Sequence, residues 1–165
     1  MPANDTEAEV DGLYHGPLAH FVEARNALAA RLGTGGDAAT AQRVRSLAKP
    51  SVPAWAANQV YWVARPEFDA LSDAARRLRA RQQATGPSAG TGLREAMRKH
   101  REALAGALKK AEAILAQAGY VASPATLHRI AATLEALAAE QAASALVKAE
   151  RALAEARGAL DRAQG

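Results

Sequence analysis

The sequence predicts an all-α protein, and three observations lead to that prediction. Alanine, the strongest helix former, accounts for 45 of the 165 residues. Apolar residues recur three and four positions apart in every segment between the glycine and proline breaks, and no segment alternates as a strand does. We therefore expect helices packed closely through alanine.

Glycine, proline and capping residues divide the first half into four predicted helices. Pro17 suits the first turn of a helix that ends at Gly33, and Asp37 caps a second helix. That second helix stops at Lys49-Pro50. A third runs from Ser51 and Pro53 to about Ala64, and Pro66 opens a fourth.

The second half is predicted to hold two long helices. The clearest linker is residues 84–92, Ala-Thr-Gly-Pro-Ser-Ala-Gly-Thr-Gly. Thr91 can cap the first long helix, which closes at Gly119, and Ser123-Pro124 starts the last one. Because few residues separate these two helices, we expect an antiparallel hairpin.

These breaks predict four regions, with a core in the second region around Phe21, Trp55, Trp62 and Phe68. Leu, Ile, Val and Phe together number 29, so that core must be thin. The regions are a flexible acidic leader over 1–16, a four-helix unit over 17–83, a linker over 84–92 and a helical hairpin over 93–165.

The composition narrows the class of protein. There are no cysteines, which excludes disulfides and thiolate metal sites. No apolar run approaches the roughly 20 residues that cross a bilayer, and the N-terminal residues do not resemble a signal peptide. We expect a cytoplasmic bacterial protein that does not interact with membranes.

The last predicted helix ends in a coiled-coil-like pattern. Leucine and alanine alternate there on one stripe with a strict 4-3 spacing, which predicts close pairing with another helix. An ordinary amphipathic helix docked on its own domain is the other interpretation. The stripe consists of Ala142, Leu146, Ala149, Leu153, Ala156, Leu160 and Ala163.

The positive charge is concentrated in one region. Residues 76–110 hold ten basic and two acidic side chains, whereas the whole chain carries a net charge of only +4. Such a region suits phosphate contacts with DNA or RNA, although a solvated basic face is the commoner explanation. The candidate phosphate-binding residues are Arg76, Arg77, Arg79, Arg81, Arg94, Arg98, Lys99 and Arg101.

A second candidate surface lies in the third predicted helix. Trp55, Asn58 and Trp62 share one helical face, and Gln59 lies beside it. As a recognition face they would form a shallow aromatic pocket with amides to orient a ligand or peptide. As structural residues the two indole rings would supply core mass, and this interpretation is favoured because large aromatics dominate cores.

Catalytic and metal-binding patterns are weak throughout. Gly86-Pro87-Ser88-Ala89-Gly90 matches a nucleophile elbow by letter, but no strand precedes it and a proline adjoins the serine. His15 and His20 are five residues apart, which is not the spacing of a helical metal pair. We therefore predict a protein that is not an enzyme and has no cofactor or metal.

One motif resembles a known family. Lys49-Pro50-Ser51 followed by Ala54-Trp55 and Asn58-Gln59 is similar to the core of a bacterial protein family with no assigned activity. Later segments as far as residue 139 also resemble it. The resemblance implies a compact helical domain with a coiled-coil-like extension, and it implies no catalytic residues.

Together these observations predict a non-enzymatic helical interaction or scaffold protein. Its expected partner is a second copy of itself or another helical protein, bound through the C-terminal helix. The alternative prediction is a nucleic-acid-associated protein that contacts phosphates through the basic 76–110 region.

Overall fold

The computed structural model describes the backbone of residues 3–84 and 89–164, and the side chains of 6–84, 90, and 92–145. In these ranges the chain forms seven α-helices and one 3-10 turn, Leu18–His20, and no strand. The predicted all-α class is confirmed. The helices are α1 (Ala3–His15), α2 (Phe21–Thr34), α3 (Ala38–Arg45), α4 (Val52–Val63), α5 (Arg65–Gln83), α6 (Ala89–Gln117) and α7 (Pro124–Gln164).

Residues 1–16 differ most from the prediction. The leader was expected to be flexible, whereas α1 is a helix of 13 residues. This helix is stabilised because Leu13 is buried and because Glu9 forms an ion pair with Arg31 of α2 at 2.6 Å. Val10, Leu13 and Tyr14, spaced three and four apart, form an apolar stripe against the core formed with α2 and α3.

The chain divides into two compact units, and each unit is discontinuous in sequence. The first comprises Met1–Val63 and Ala111–Ile130, and the second comprises Ala64–Lys110 and Ala131–Gly165. The predicted division into 17–83 and 93–165 is therefore not the one observed. α6 begins at Ala89, so the end of the predicted linker is helical, while residues 85–88 lie outside the described residues.

The core of the first unit forms where α2 and α3 pack against each other. Phe21, Leu32 and Val44 are buried there, and the rings of Tyr14 and Phe21 lie 5.3 Å apart. Asp37 caps α3 as predicted, because its Oδ1 accepts from the Thr40 backbone N–H at 3.0 Å. The hydrogen bonds from Thr40 hold the pKa of that carboxyl below its ordinary value.

Two of the four aromatic residues expected in one N-terminal core lie elsewhere. Trp62 is 44% exposed, because it sits near the end of α4 where the helix leaves the core. Phe68 is buried, but it belongs to the second unit with the rest of α5. Phe21 and Trp55 are buried in the first unit, as expected.

In the second unit α5, α6 and α7 pack together. Phe68 and Leu71 of α5 are buried, as are Ala107 of α6 and Leu134 of α7. Lys110 of α6 reaches Glu67 of α5 at 3.1 Å, and its hydrogen bond lowers the pKa of that carboxyl. Residues 118–123 connect the two long helices, as the hairpin prediction required.

Two serines of these helices differ in their hydrogen bonding. Ser123 caps α7, since its Oγ accepts from the Thr126 backbone N–H at 3.2 Å. Ser72 of α5 is buried, and its Oγ has no hydrogen-bond partner in the part of the chain that the structure describes. A buried hydroxyl without a partner costs stability, whereas a capping hydroxyl contributes to it.

We therefore expect the same substitution to have opposite effects at the two serines. Ser72→Ala should raise the free energy of unfolding by about 1 kcal/mol, because it removes an unpaired buried hydroxyl. Ser123→Ala should lower it by about 1 kcal/mol, because it removes a helix cap. Urea unfolding followed by circular dichroism measures both changes, and a loss of stability in Ser72→Ala would contradict this account.

Candidate functional site

Trp55, from the candidate recognition face, is a structural residue. Only 6% of it is exposed, and its Nε1 donates to the Gly16 backbone oxygen at 3.0 Å. Its ring lies 5.9 Å from that of Tyr120 at an angle of 60°. The indole therefore fastens α4 to the chain that follows α1.

Gln59 also forms hydrogen bonds with the C-terminal end of α1. It is buried, and its Nε2 donates to the backbone oxygens of Tyr14 and His15, each at 3.2 Å. The last four carbonyls of a helix lack partners within that helix, and two of those of α1 are satisfied here by one side-chain amide. Gln59 and Trp55 together thus cap the C-terminal end of α1.

The other half of the candidate face remains at the surface. Trp62 is 44% exposed, and its ring contacts that of His15 in a tilted arrangement, with centroids 4.0 Å apart and planes inclined by 53°. Tyr61 meets the same indole edge-on at 4.7 Å. Asn58, which lies between Trp55 and Trp62 in the sequence, is half-buried. The face predicted as one surface is therefore divided into a buried part and an exposed aromatic cluster of His15, Tyr61 and Trp62.

The basic residues of α6 lie on two sides of that helix. Arg94, Arg98 and Arg101 border one shallow surface depression together with Glu95 and Met97. Arg98 is ion-paired with Glu95 at 2.6 Å and also with Glu102. These partners neutralise much of the charge that this arginine could offer a phosphate, and they hold its pKa above the ordinary value.

Lys99 lies on the other side of α6. It lines a groove of about 470 Å³ between α5 and α6. Arg77 of α5 lines the same groove, together with Asp73 and Glu102. Its remaining lining consists of alanines from both helices, Ala70, Ala74, Ala96 and Ala103. The groove combines an apolar alanine floor with charges of both signs.

The last three candidate phosphate contacts are spread along α5. Arg76 pairs with Asp73 at 2.7 Å, and Arg79 is exposed. The Arg81 side chain lies over the Gly92 backbone of α6, within 3.4 Å of the point that a Cβ there would occupy. The eight basic residues therefore do not converge on one surface.

Sequence reasoning missed the part that α1 plays at these surfaces. The backbone of Tyr14, His15 and Gly16 accepts the hydrogen bonds of α4, and the His15 ring covers Trp62. α1 and α2 also border a groove of about 430 Å³ between Gly12 and Ala27. The apolar stripe through Val10 and Leu13 was the signal that could have identified α1 as a helix.

The two tryptophans provide a test of the divided face. We expect Trp55→Phe to lower the free energy of unfolding by about 1–3 kcal/mol, because it leaves the Gly16 oxygen without its donor. Trp62→Phe is the matched control, and it should change stability by less than about 0.5 kcal/mol because its ring is half exposed. Urea unfolding followed by circular dichroism compares them, and equal losses would mean that Trp62 also belongs to the core.

Among the described residues, no three His, Asp or Glu side chains are grouped so as to hold a metal ion. No helix in those ranges is long and apolar enough to cross a bilayer. What this part of the chain does present is an exposed aromatic cluster, the depression bordered by Arg94, Arg98 and Arg101, and an alanine-floored groove. Comparison with protein-family models, with curated proteins and with solved structures finds no match for this chain.

Proposed function

We propose that this chain is a non-enzymatic helical interaction protein that self-associates through the C-terminal end of α7. The observation that carries the proposal is the length of that helix, 41 residues against 29 in α6. Antiparallel neighbours joined by a short connection run side by side only for the length of the shorter helix. About twelve residues of α7, roughly 18 Å, therefore extend past the end of α6.

The sequence of that extension supports pairing with another helix. Leu153 and Leu160 recur at heptad spacing, with Ala156 between them. Burying a leucine contributes about 1.5–3 kcal/mol, so two copies of these residues supply a useful interface. The side chains from residue 146 onward lie outside the described residues, so the heptad stripe stays a prediction from the sequence.

The position of the Lys-Pro-Ser…Ala-Trp…Asn-Gln motif also favours an interaction protein over an enzyme. Ser51 Oγ accepts from the Ala54 backbone N–H at 3.4 Å at the start of α4. Trp55 and Gln59 are occupied in capping α1. We infer that this motif, and the family resemblance it carries, marks a way of packing helices and supplies no reacting group.

We expect Leu153→Glu with Leu160→Glu to convert a self-associating protein into a monomer, because four buried leucines per dimer would become charged. Sedimentation equilibrium of the full chain over a range of concentrations measures the change. Ser144→Glu with Gly158→Glu is the matched control, since it adds the same charge on the opposite face of α7.

The control variant should associate as the unsubstituted chain does. A chain that is monomeric at all concentrations before any substitution would overturn the proposal. Equal weakening by the two pairs of substitutions would also count against it, because charge rather than the leucine stripe would then be responsible.

Nucleic-acid binding is the alternative proposal, and one observation favours it. Arg94, Arg98 and Arg101 border a single depression on α6, where a phosphate backbone could follow the helix. The ion pairs of Arg98 with two glutamates weaken this alternative, because an occupied guanidinium gains less from a phosphate. It therefore ranks below self-association.

A binding titration with DNA and RNA at about 50 and 200 mM salt tests the alternative. If the arginines that border this depression contact phosphates, Arg94→Gln with Arg101→Gln should lower the magnitude of the salt slope by about 2. Arg45→Gln with Lys49→Gln removes the same charge from the first unit and should leave that slope unchanged. Absence of binding at about 50 mM salt would dismiss this function.

A further inference from the structure

We propose that the alanine-floored groove between α5 and α6 receives the C-terminal segment of α7, residues 149–163, from a second copy of the chain. The inference rests on the proposed self-association and names the surface that the segment contacts. The groove and the segment that would fill it both belong to the second unit of their own chains.

The groove is lined by small residues, as surfaces that receive a helix often are. Its floor is made by Ala70 and Ala74 of α5 and by Ala96 and Ala103 of α6. Methyl side chains on both helices leave a volume of about 470 Å³ that larger residues would have filled. α5, α6 and α7 already pack together, so a helix laid in this groove would complete a four-helix arrangement.

The spacing of the leucines fits the spacing of the groove. Leu153 and Leu160 are seven residues apart, which is about 10.5 Å along a helix. Ala70–Arg77 on α5 and Ala96–Ala103 on α6, the lining residues at the two ends, are also seven residues apart. Two leucine side chains can thus enter between the alanines while the small residues beside them allow a close approach of the helices.

The charges at the groove favour a helix of mixed charge over a polyanion. Arg77 and Lys99 are balanced there by Asp73 and Glu102. The α7 segment likewise carries both signs, as in Arg157 and Asp161. Asp73, Glu102 and Lys99 already have ion-pair partners on their own helices, Arg76, Arg98 and Glu95. A nucleic acid would still meet two carboxylates in this groove, whereas a helix that bears both signs would not set a single sign of charge against them.

Reciprocal docking would give a closed dimer. Each copy offers one groove and one α7 segment, so two copies can exchange segments about a two-fold axis with no unused surface. The competing arrangement is a coiled coil between the two α7 segments, in which the groove stays empty. Both arrangements use Leu153 and Leu160, and only the first uses the alanines of α5 and α6.

Cross-linking distinguishes the two arrangements cleanly because the chain has no cysteine of its own. A copy carrying Ala103→Cys is mixed with a copy of different tag length carrying Leu160→Cys, and the mixture is oxidised at a concentration where the chain associates. We expect the mixed disulfide to form in excess over both symmetric disulfides. Predominance of the disulfide between two Leu160→Cys copies would overturn the groove and support the coiled coil.

Filling the groove is an independent test. Ala70→Phe with Ala103→Phe should raise the dissociation constant of the dimer about tenfold or more, because the rings occupy the space intended for leucine. Ala80→Phe with Ala105→Phe adds the same rings to exposed positions of the same helices and should leave the dissociation constant unchanged. Circular dichroism and urea unfolding verify that each variant folds.

The outcomes separate this inference from the proposal on which it rests. If Leu153→Glu with Leu160→Glu prevents association while the filled groove does not, self-association through α7 stands and the groove is wrong. If the unsubstituted chain is monomeric, both fail. If the filled groove and the charged segment weaken association while their controls do not, both hold.

Discussion

The scarcity of large apolar side chains constrains every part of this molecule. Only 36 of the 165 residues are apolar and larger than alanine, so most helix contacts must be made by methyl groups. Ala29, Ala56, Ala57, Ala107, Ala111 and Ala138 are completely buried. A buried methyl group contributes about 0.8 kcal/mol, roughly a third of what a leucine gives, but it lets two helix backbones approach closely. The few large residues, such as Phe68 and Leu134, then matter more than their number suggests.

Hydrogen bonds from buried side chains compensate in part for this thin core. The C-terminal end of α1 is held by three of them, two from Gln59 and one from Trp55. Net contributions near 1 kcal/mol per bond are comparable to burying one methyl group. Loss of a donor costs more, because a carbonyl that has left water would then remain unpaired. Polar residues of α4 therefore fix the position of a helix that has few large apolar side chains of its own.

The helical class, the capping residues and the two long helices were predictable from the sequence because they depend on local preferences. Asp37 and Ser123 cap helices as predicted, and Pro66 falls in the first turn of α5. The leader was not recognised as a helix because its four acidic residues and few large apolar residues resemble a solvated segment, and the pairing of Glu9 with Arg31 cannot be read from either segment alone. The division of the candidate recognition face into a buried and an exposed part also depends on contacts between segments that are distant in sequence. Trp55 and Trp62 share one helical face, but only the partners supplied by α1 and Tyr120 determine which of them is buried.

The same scarcity links the fold to association. Two alanine-rich helices can pack closely, but they leave a shallow groove on their outer side. The methyl groups that line such a groove are too small to fill it. The groove between α5 and α6 is such a surface, with paired charges at its edges that discourage a ligand of a single sign. The sequence places leucines at heptad spacing in the part of α7 that extends past the length of α6. We favour self-association over a catalytic role because the groove is lined by small residues and the heptad leucines of a second copy are the large apolar residues that the sequence offers to fill it.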